Sequence, residues 1–177
     1  MGKQKTFILW LTGLSASGKT TVGTAIYKEL KNKNYKIHYL DGDEVRASAK
    51  KKLGFTKEDR NKNISLVIDL ARNYQEKGFM LIASFISPCK IHREWGRNKL
   101  ENYIEVFIDA PLNICETRDP KGMYKKARAG EIKSFTGISD KYEIPKNPDI
   151  HLKTDQMSVD ECVKKVKDYL RDNNYID

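Results

Sequence analysis

Residues 7–21 read FILWLTGLSASGKTT, and the order of residue types in this stretch decides the fold. Residues 7–11 are uniformly apolar, the length and composition of a strand buried on both faces. A turn of small residues follows, and from Thr20 onward Val22, Ala25, Ile26 and Leu30 recur at helical spacing. Strand, small-residue turn and amphipathic helix in that order form half of a βαβ unit. The turn itself, residues 13–20, satisfies G-x-x-x-x-G-K-[ST].

The chemistry of that spacing is specific. A phosphate chain needs several backbone N–H groups converging on it, so the side chains must be small and the backbone free to adopt unusual φ. Gly13, Leu14, Ser15, Ala16, Ser17 and Gly18 are the expected cradle for the phosphates of ATP, with Thr21 beside them. The positive end of the following helix adds to the attraction. Lys19 is placed to reach the β- and γ-phosphates, and the Thr20 hydroxyl to ligate Mg²⁺.

Working outward, strand and helix patterns alternate along the whole chain. Residues 36–40, 79–84, 103–109 and 150–152 read as further strands. A stripe of Ile64, Val67, Ile68, Ala71 and Tyr74 marks a helix that stops at Gly78. Residues 88–100 and a short segment opened by Pro111 read as helices. Ser158 and Glu161 form a capping box at the start of a closing helix. This alternation predicts an α/β protein with a parallel sheet covered by helices on both faces, a three-layer fold. At 177 residues, one domain is expected. Residues 118–145 break the rhythm: they are rich in glycine, lysine and other charged residues, with Met123, Tyr124 and Phe135 spaced among them.

Composition narrows the function class. No apolar stretch approaches the length of a membrane span, and the N-terminus lacks the pattern of a signal peptide, so a cytoplasmic protein without membrane contact is expected. The three cysteines form no C-x-x-C pair, which argues against a disulfide framework or structural zinc. Cys162 falls in the apolar stripe of the last helix. The formal charge of +9 is dispersed along the chain, with no continuous basic helix face and no aromatic RNA-binding motif. It fits a protein that handles anionic small molecules better than a nucleic-acid binder. No N-K-x-D sequence of the guanine-nucleotide type occurs, and the short chain favours a small-molecule kinase.

LDGDEVR, residues 40–46, follows the second strand at the edge where open α/β sheets bind their ligands. Asp41 and Asp43 flank a glycine, so a tight turn can aim both carboxylates at one site. A kinase needs one carboxylate to orient the acceptor hydroxyl and another to hold Mg²⁺. Arg46 follows one turn later and can meet an anionic acceptor. Phe55 and Phe135 stand in polar loops with no periodic core to join, which suits stacking on a purine. Arg60 and Asn63 lie one turn apart, off the apolar stripe of their helix. Residues 118–145 read as a lid, with apolar anchors to fold down and cations to meet phosphates.

GLSASGKTT, LDGDEVR, LGFTKEDRNKNI, FISP and DPKGMYKKARAGEIKSFTGI occur here in the order and spacing found in adenylylsulfate kinases. The resemblance covers nearly the whole chain, and the last motif is not shared by P-loop kinases in general. It implies the P-loop nucleoside triphosphate hydrolase-type fold and transfer of the ATP γ-phosphate to the 3′-hydroxyl of adenosine 5′-phosphosulfate. It further implies roles residue by residue. Asp41 and Asp43 would serve Mg²⁺ and the acceptor hydroxyl, and Arg46, Arg60 and Asn63 would grip the phosphosulfate and ribose. Phe55 and Phe135 would sandwich the acceptor adenine, Lys121 would approach its anionic groups, and Arg118 would cover the ATP adenine. Ile86 and Ser87 would lie against the acceptor; in some members the matching serine is designated a phosphoserine intermediate, whereas direct in-line transfer needs only a hydrogen-bonding contact there. The family often forms homodimers.

Three departures from the family pattern fall on the acceptor side: Ser65-Leu66 and Cys89-Lys90 replace residues usual there, and IHREWGR differs from the usual acidic and arginine-rich run. Two other readings therefore stay open at this point. One is a homologous kinase acting on another 5′-modified nucleotide, such as a cytidine diphosphate derivative. The other is a non-catalytic ATP-binding module, against which the set of Lys19, Thr20, Asp41 and Asp43 argues.

Overall fold

The computed structural model describes residues 5–42, 45, 54 and 56–177. Five strands, β1 (Ile8–Thr12), β2 (Ile37–Asp41), β3 (Met80–Ser84), β4 (Tyr103–Asp109) and β5 (Ile150–Lys153), form one sheet in the order β2-β3-β1-β4-β5. Every pairing is parallel. Between the strands run α1 (Lys19–Asn32), α2 (Lys57–Glu76), α3 (Lys90–Lys99), α4 (Leu112–Arg118) and α5 (Met123–Arg128), and α6 (Val159–Asp172) closes the chain. None of the described helices is long and apolar enough to cross a membrane.

The three layers follow from the two-residue period of β1. Phe7, Leu9 and Leu11 face one side and pack with Val22, Ile26 and Leu30 of α1 and Cys162, Val166 and Leu170 of α6. Ile8 and Trp10 face the other and pack with Ile64, Val67, Ile68 and Ala71 of α2. Both sides are closed to water, so each large side chain of β1 contributes about 1.5–3 kcal/mol of burial. The expected capping box is present: the Ser158 hydroxyl accepts from Glu161 N, and the Glu161 carboxylate accepts from Ser158 N.

Residues 118–145 hold one element that the local pattern did not announce, the helix α5. It has a structural reason. Tyr124 and Ala127 of α5 join Ala110, Cys115 and Phe135 in a third apolar cluster, apart from the two that flank the sheet. The partners come from separate segments, so no single stretch shows a helical period strong enough to read.

The strand order puts β1 at the centre, with β3 on one side and β4 on the other. The connection after β1 leads to β2 in one half of the sheet and the connection after β3 crosses to β4 in the other, so the carboxyl edge opens as a crevice beside β1. The phosphate-binding turn leaves β1 at that point.

Candidate active site

Helix α1 begins differently from the two other long helices, α2 and α6. Thr56 caps α2 and Ser158 caps α6, and both helices carry two acidic residues in the first turn. At α1 the cap is Gly18 at φ +104°, no side chain caps it, and the first turn has no acidic residue. Its orphan N–H groups and positive dipole end are thus left for an anion. Ala16, at φ +59°, completes the tight turn before it.

The loop carbonyls are engaged by side chains. Lys19 Nζ donates to Gly13 O at 3.1 Å and Leu14 O at 2.6 Å. The Tyr124 hydroxyl donates to Ser15 O at 2.9 Å, and Thr154 Oγ1 to Ser17 O at 2.6 Å. Arg118 braces the same corner, donating to Thr154 O at 2.8 Å and Ser17 O at 3.3 Å. Carbonyls satisfied in this way favour a loop whose amides serve an anion. Burial pushes the Tyr124 phenol far above its ordinary range, so it remains a donor.

Beside the loop, Thr20 Oγ1 donates to Asp41 Oδ2 at 3.1 Å. Asp41 ends β2 opposite Ser84 of β3, whose Oγ accepts from the Tyr39 hydroxyl at 2.8 Å. The expected partners Asp43, Arg46 and Phe55 lie outside the described residues.

A cleft of 1080 Å³ runs along this edge. Arg118, Thr154 and Met157 line it on the β5 side of the loop, and Asn63, Ile86, Ser87 and Phe135 line it on the β3 side. Lys19, Thr20 and Asp41 lie along the same wall, and exposed Lys121 also borders it. Ser15, Ala16, Gly18 and Thr21 contribute from the loop, whereas Gly13, Leu14 and Ser17 sit behind it. Apart from Gly13, Leu14 and Ser17, the sequence-identified set among the described residues therefore lines one chamber.

Individual placements sharpen what each residue can do. Asn63 is buried, and its Oδ1 has no hydrogen-bond partner among the described residues, which suits a donor brought by a ligand. Arg60 donates to Thr136 Oγ1 at 2.8 Å and Ser134 O at 2.9 Å, and pairs with Asp140 at 3.0 Å. It thereby anchors the segment that carries Phe135. The Ser87 hydroxyl is buried, accepts from Trp10 Nε1 at 3.0 Å and donates to Phe85 O at 3.3 Å. That arrangement makes it a buttress of its loop. Phe135 corrects the expectation that it lacks a core to join: it is only 6% exposed and meets Tyr124 edge-on, centroids 4.9 Å apart. It packs on one side and walls the cleft on the other.

Sequence reasoning assigned no site role to Thr154 or His92, and it read Tyr124 only as an apolar anchor of residues 118–145. His92 borders the cleft, fully buried, with Nε2 2.7 Å from Asn61 Oδ1 and Nδ1 unpartnered among the described residues. Burial first, then the positive charges of Arg93, Arg60 and Lys57 against the opposing Glu143, push its pKa from 6.5 down to about 4. A histidine depressed in the folded state contributes stability above its unfolded pKa and loses it as pH falls toward the folded one. His92 should therefore withdraw roughly 2 kcal/mol of stability between pH 7 and pH 5. Urea unfolding at the two pH values checks this: His92→Gln should flatten that part of the profile, and an unchanged slope would count against it.

Comparison with known proteins agrees with this geometry. The model of the adenylylsulphate kinase family matches residues 5–153. The chain is 48% identical to an adenylyl-sulfate kinase of Halothermothrix orenii, over 99% of this chain and 95% of that one. It is 47% identical to an adenylyl-sulfate kinase of Rippkaea orientalis, over 98% and 96%. Among solved structures, the Mycobacterium tuberculosis APS kinase CysC in complex with AMPPNP and APS superposes with a TM-score of 0.90 at 40% identity, covering 94% of this chain and 98% of that one.

Proposed function

The chain belongs to the adenylylsulphate kinase family, and from that premise we propose that it is an ATP-dependent adenylyl-sulfate kinase of sulfate activation. It transfers the γ-phosphate of ATP to the ribose 3′-hydroxyl of adenosine 5′-phosphosulfate, giving 3′-phosphoadenosine 5′-phosphosulfate. The observation that carries the reading is the single cleft. It joins a phosphate cradle on α1 to a second lobe bordered by Asn63, Ile86, Ser87 and Phe135, so donor and acceptor can meet in line.

The residues divide the work along the cleft. The loop amides bind the phosphate chain, and Lys19 places its charge where the transferred phosphoryl group becomes most negative. Thr20 Oγ1 and Asp41 Oδ2 are two hard oxygens side by side at the head of α1, a donor set that fits Mg²⁺. The ion, when bound, neutralises charge on the β- and γ-phosphates. Arg118, braced on Thr154, covers the adenine of ATP. Asn63 accepts a hydrogen bond from the acceptor, and Phe135 offers it an aromatic wall. Residues 118–145 act as the lid that keeps water from the γ-phosphate. Ser87 shapes the acceptor loop. The enzyme works in the cytoplasm as a homodimer, in keeping with its family.

The test is which nucleotide stimulates ADP formation. Adenosine 5′-phosphosulfate at micromolar concentration should do so, with one 3′-phosphorylated product per ADP. Silence on that compound, with turnover on a cytidine diphosphate derivative, would replace this reading by the other.

Phe135 offers a further prediction. Phe135→Ala should raise the acceptor KM and also cost about 3–5 kcal/mol of stability, because it empties a packed site. Phe135→Leu refills most of that volume without an aromatic face. It should hold the melting temperature closer to wild type while still raising the acceptor KM about tenfold, in line with 1–3 kcal/mol per stacked base. An unchanged KM in the leucine variant would remove the stacking role.

A further inference from the structure

Arg93 of α3 is only 3% exposed, does not line the cleft, and belongs to none of the substrate-contacting groups above. One terminal nitrogen donates to Ser87 O at 2.8 Å, and the other to Glu143 O at 2.6 Å. Its Nε lies 3.4 Å from Glu105 Oε1 of β4, and the Tyr142 ring lies 5.8 Å from the guanidinium carbon. The two carbonyls belong to distant segments: the loop after β3 that borders the acceptor lobe, and the end of residues 118–145. A buried guanidinium needs its acceptors, so a satisfied Arg93 holds both segments to the sheet at once.

Neighbouring bonds close the junction. Glu143 N donates to Pro88 O at 2.8 Å, and the Glu143 carboxylate accepts from Lys90 N at the start of α3. Thr12 Oγ1, at the end of β1, donates to Ile86 O at 2.7 Å and lies 2.8 Å from the Tyr142 hydroxyl. Ser87 itself sits at φ +39°, a left-handed conformation that serine keeps only where its surroundings over-determine it. The bond from Arg93 to the Ser87 carbonyl is one of those constraints.

We propose that Arg93 is a positioning residue for the transfer: by bonding the Ser87 and Glu143 carbonyls together it couples the acceptor loop to the end of the lid. One arrangement then both seats the acceptor and shuts out water. The inference rests on the reading of the cleft given above.

Two variants test it. Arg93→Lys keeps the charge but cannot span both carbonyls. The double variant Arg93→Met/Glu105→Gln removes the cation together with its carboxylate, leaving no unpaired buried charge. Each is compared with wild type for kcat, for the KM of ATP and adenylylsulfate, for ADP released per 3′-phosphorylated product, and for melting temperature. In both variants kcat should fall about tenfold or more with the KM of ATP unchanged, and ADP should exceed product by about twofold or more. A merely structural arginine would lower the melting temperature alone. Folded variants with wild-type kcat and one ADP per product would overturn the inference by itself. A wild-type protein silent on adenylylsulfate would overturn the acceptor reading, and this inference with it.

Discussion

Replacing Lys19 with alanine should lower kcat by about 10³-fold or more, because it removes the one loop cation aimed at the phosphates. The fold should survive. Lys19 Nζ donates to two peptide carbonyls of its own loop, Gly13 O and Leu14 O, and Lys19 itself lines the cleft, where water can take its place. The ammonium interacts with the ground-state triphosphate too, so ATP affinity should also weaken, but less than the rate does. The negative charge on the transferring group develops in the transition state, and there a fixed cation acts most strongly. Single-turnover transfer and calorimetric binding of a non-hydrolysable ATP analogue separate the two effects. Lys19→Met, which keeps the apolar stem, should behave like alanine. A rate loss below about tenfold in both would mean that the loop amides and the metal suffice without the lysine.

The parts of this molecule that were legible in the sequence are those built from local repetition. Phe7 to Leu11 show their burial on both faces, and Gly13, Gly18, Lys19 and Thr20 stand at fixed offsets dictated by a phosphate chain. The Ser158–Glu161 box is also a local signal, four residues long. Contacts that join distant segments were not legible. Arg93 meets Glu143 across fifty positions, and Thr154 meets Ser17 across 137. Nothing around either residue distinguishes it from an ordinary surface arginine or threonine. Phe135 shows the same limit from the other side. Its polar neighbours make it look like an exposed ring, because Tyr124, Ala127 and Cys115, which bury it, are supplied by other segments. Arg60, read as a substrate grip, lines the cleft, and its guanidinium also bonds Ser134, Thr136 and Asp140, contacts that no local pattern announces.

Among the described glycines, Gly13 should tolerate an added methyl group least. A Cβ built at Gly13 would lie 2.3 Å from Ile108 O and 2.7 Å from Ser17 Oγ, both far inside contact distance. The Ser17 hydroxyl, which has no hydrogen-bond partner among the described residues, can turn away, but the Ile108 carbonyl cannot yield cheaply. Ile108 sits in β4, held between β1 and β5. The strain must therefore splay β1 from β4 or lift the loop. Either response costs about 1–3 kcal/mol or more, a fall of roughly 2–12 °C in melting temperature for a chain of this size. A loop displaced by about 1 Å should in addition lose about 10²-fold in rate. Gly18→Ala is the matched control, since the nearest atom to its Cβ is 3.7 Å away. There the penalty is conformational only, from φ +104° at the cap of α1. Gly13 also sits at positive φ, +157°, so its variant adds crowding to backbone strain, and Gly18→Ala shows what backbone strain does alone. Gly13→Ala should lose both stability and ATP affinity, and Gly18→Ala less of each. If Gly13→Ala retained wild-type melting and affinity, the close approach of the loop to β4 could not be what fixes the phosphate cradle.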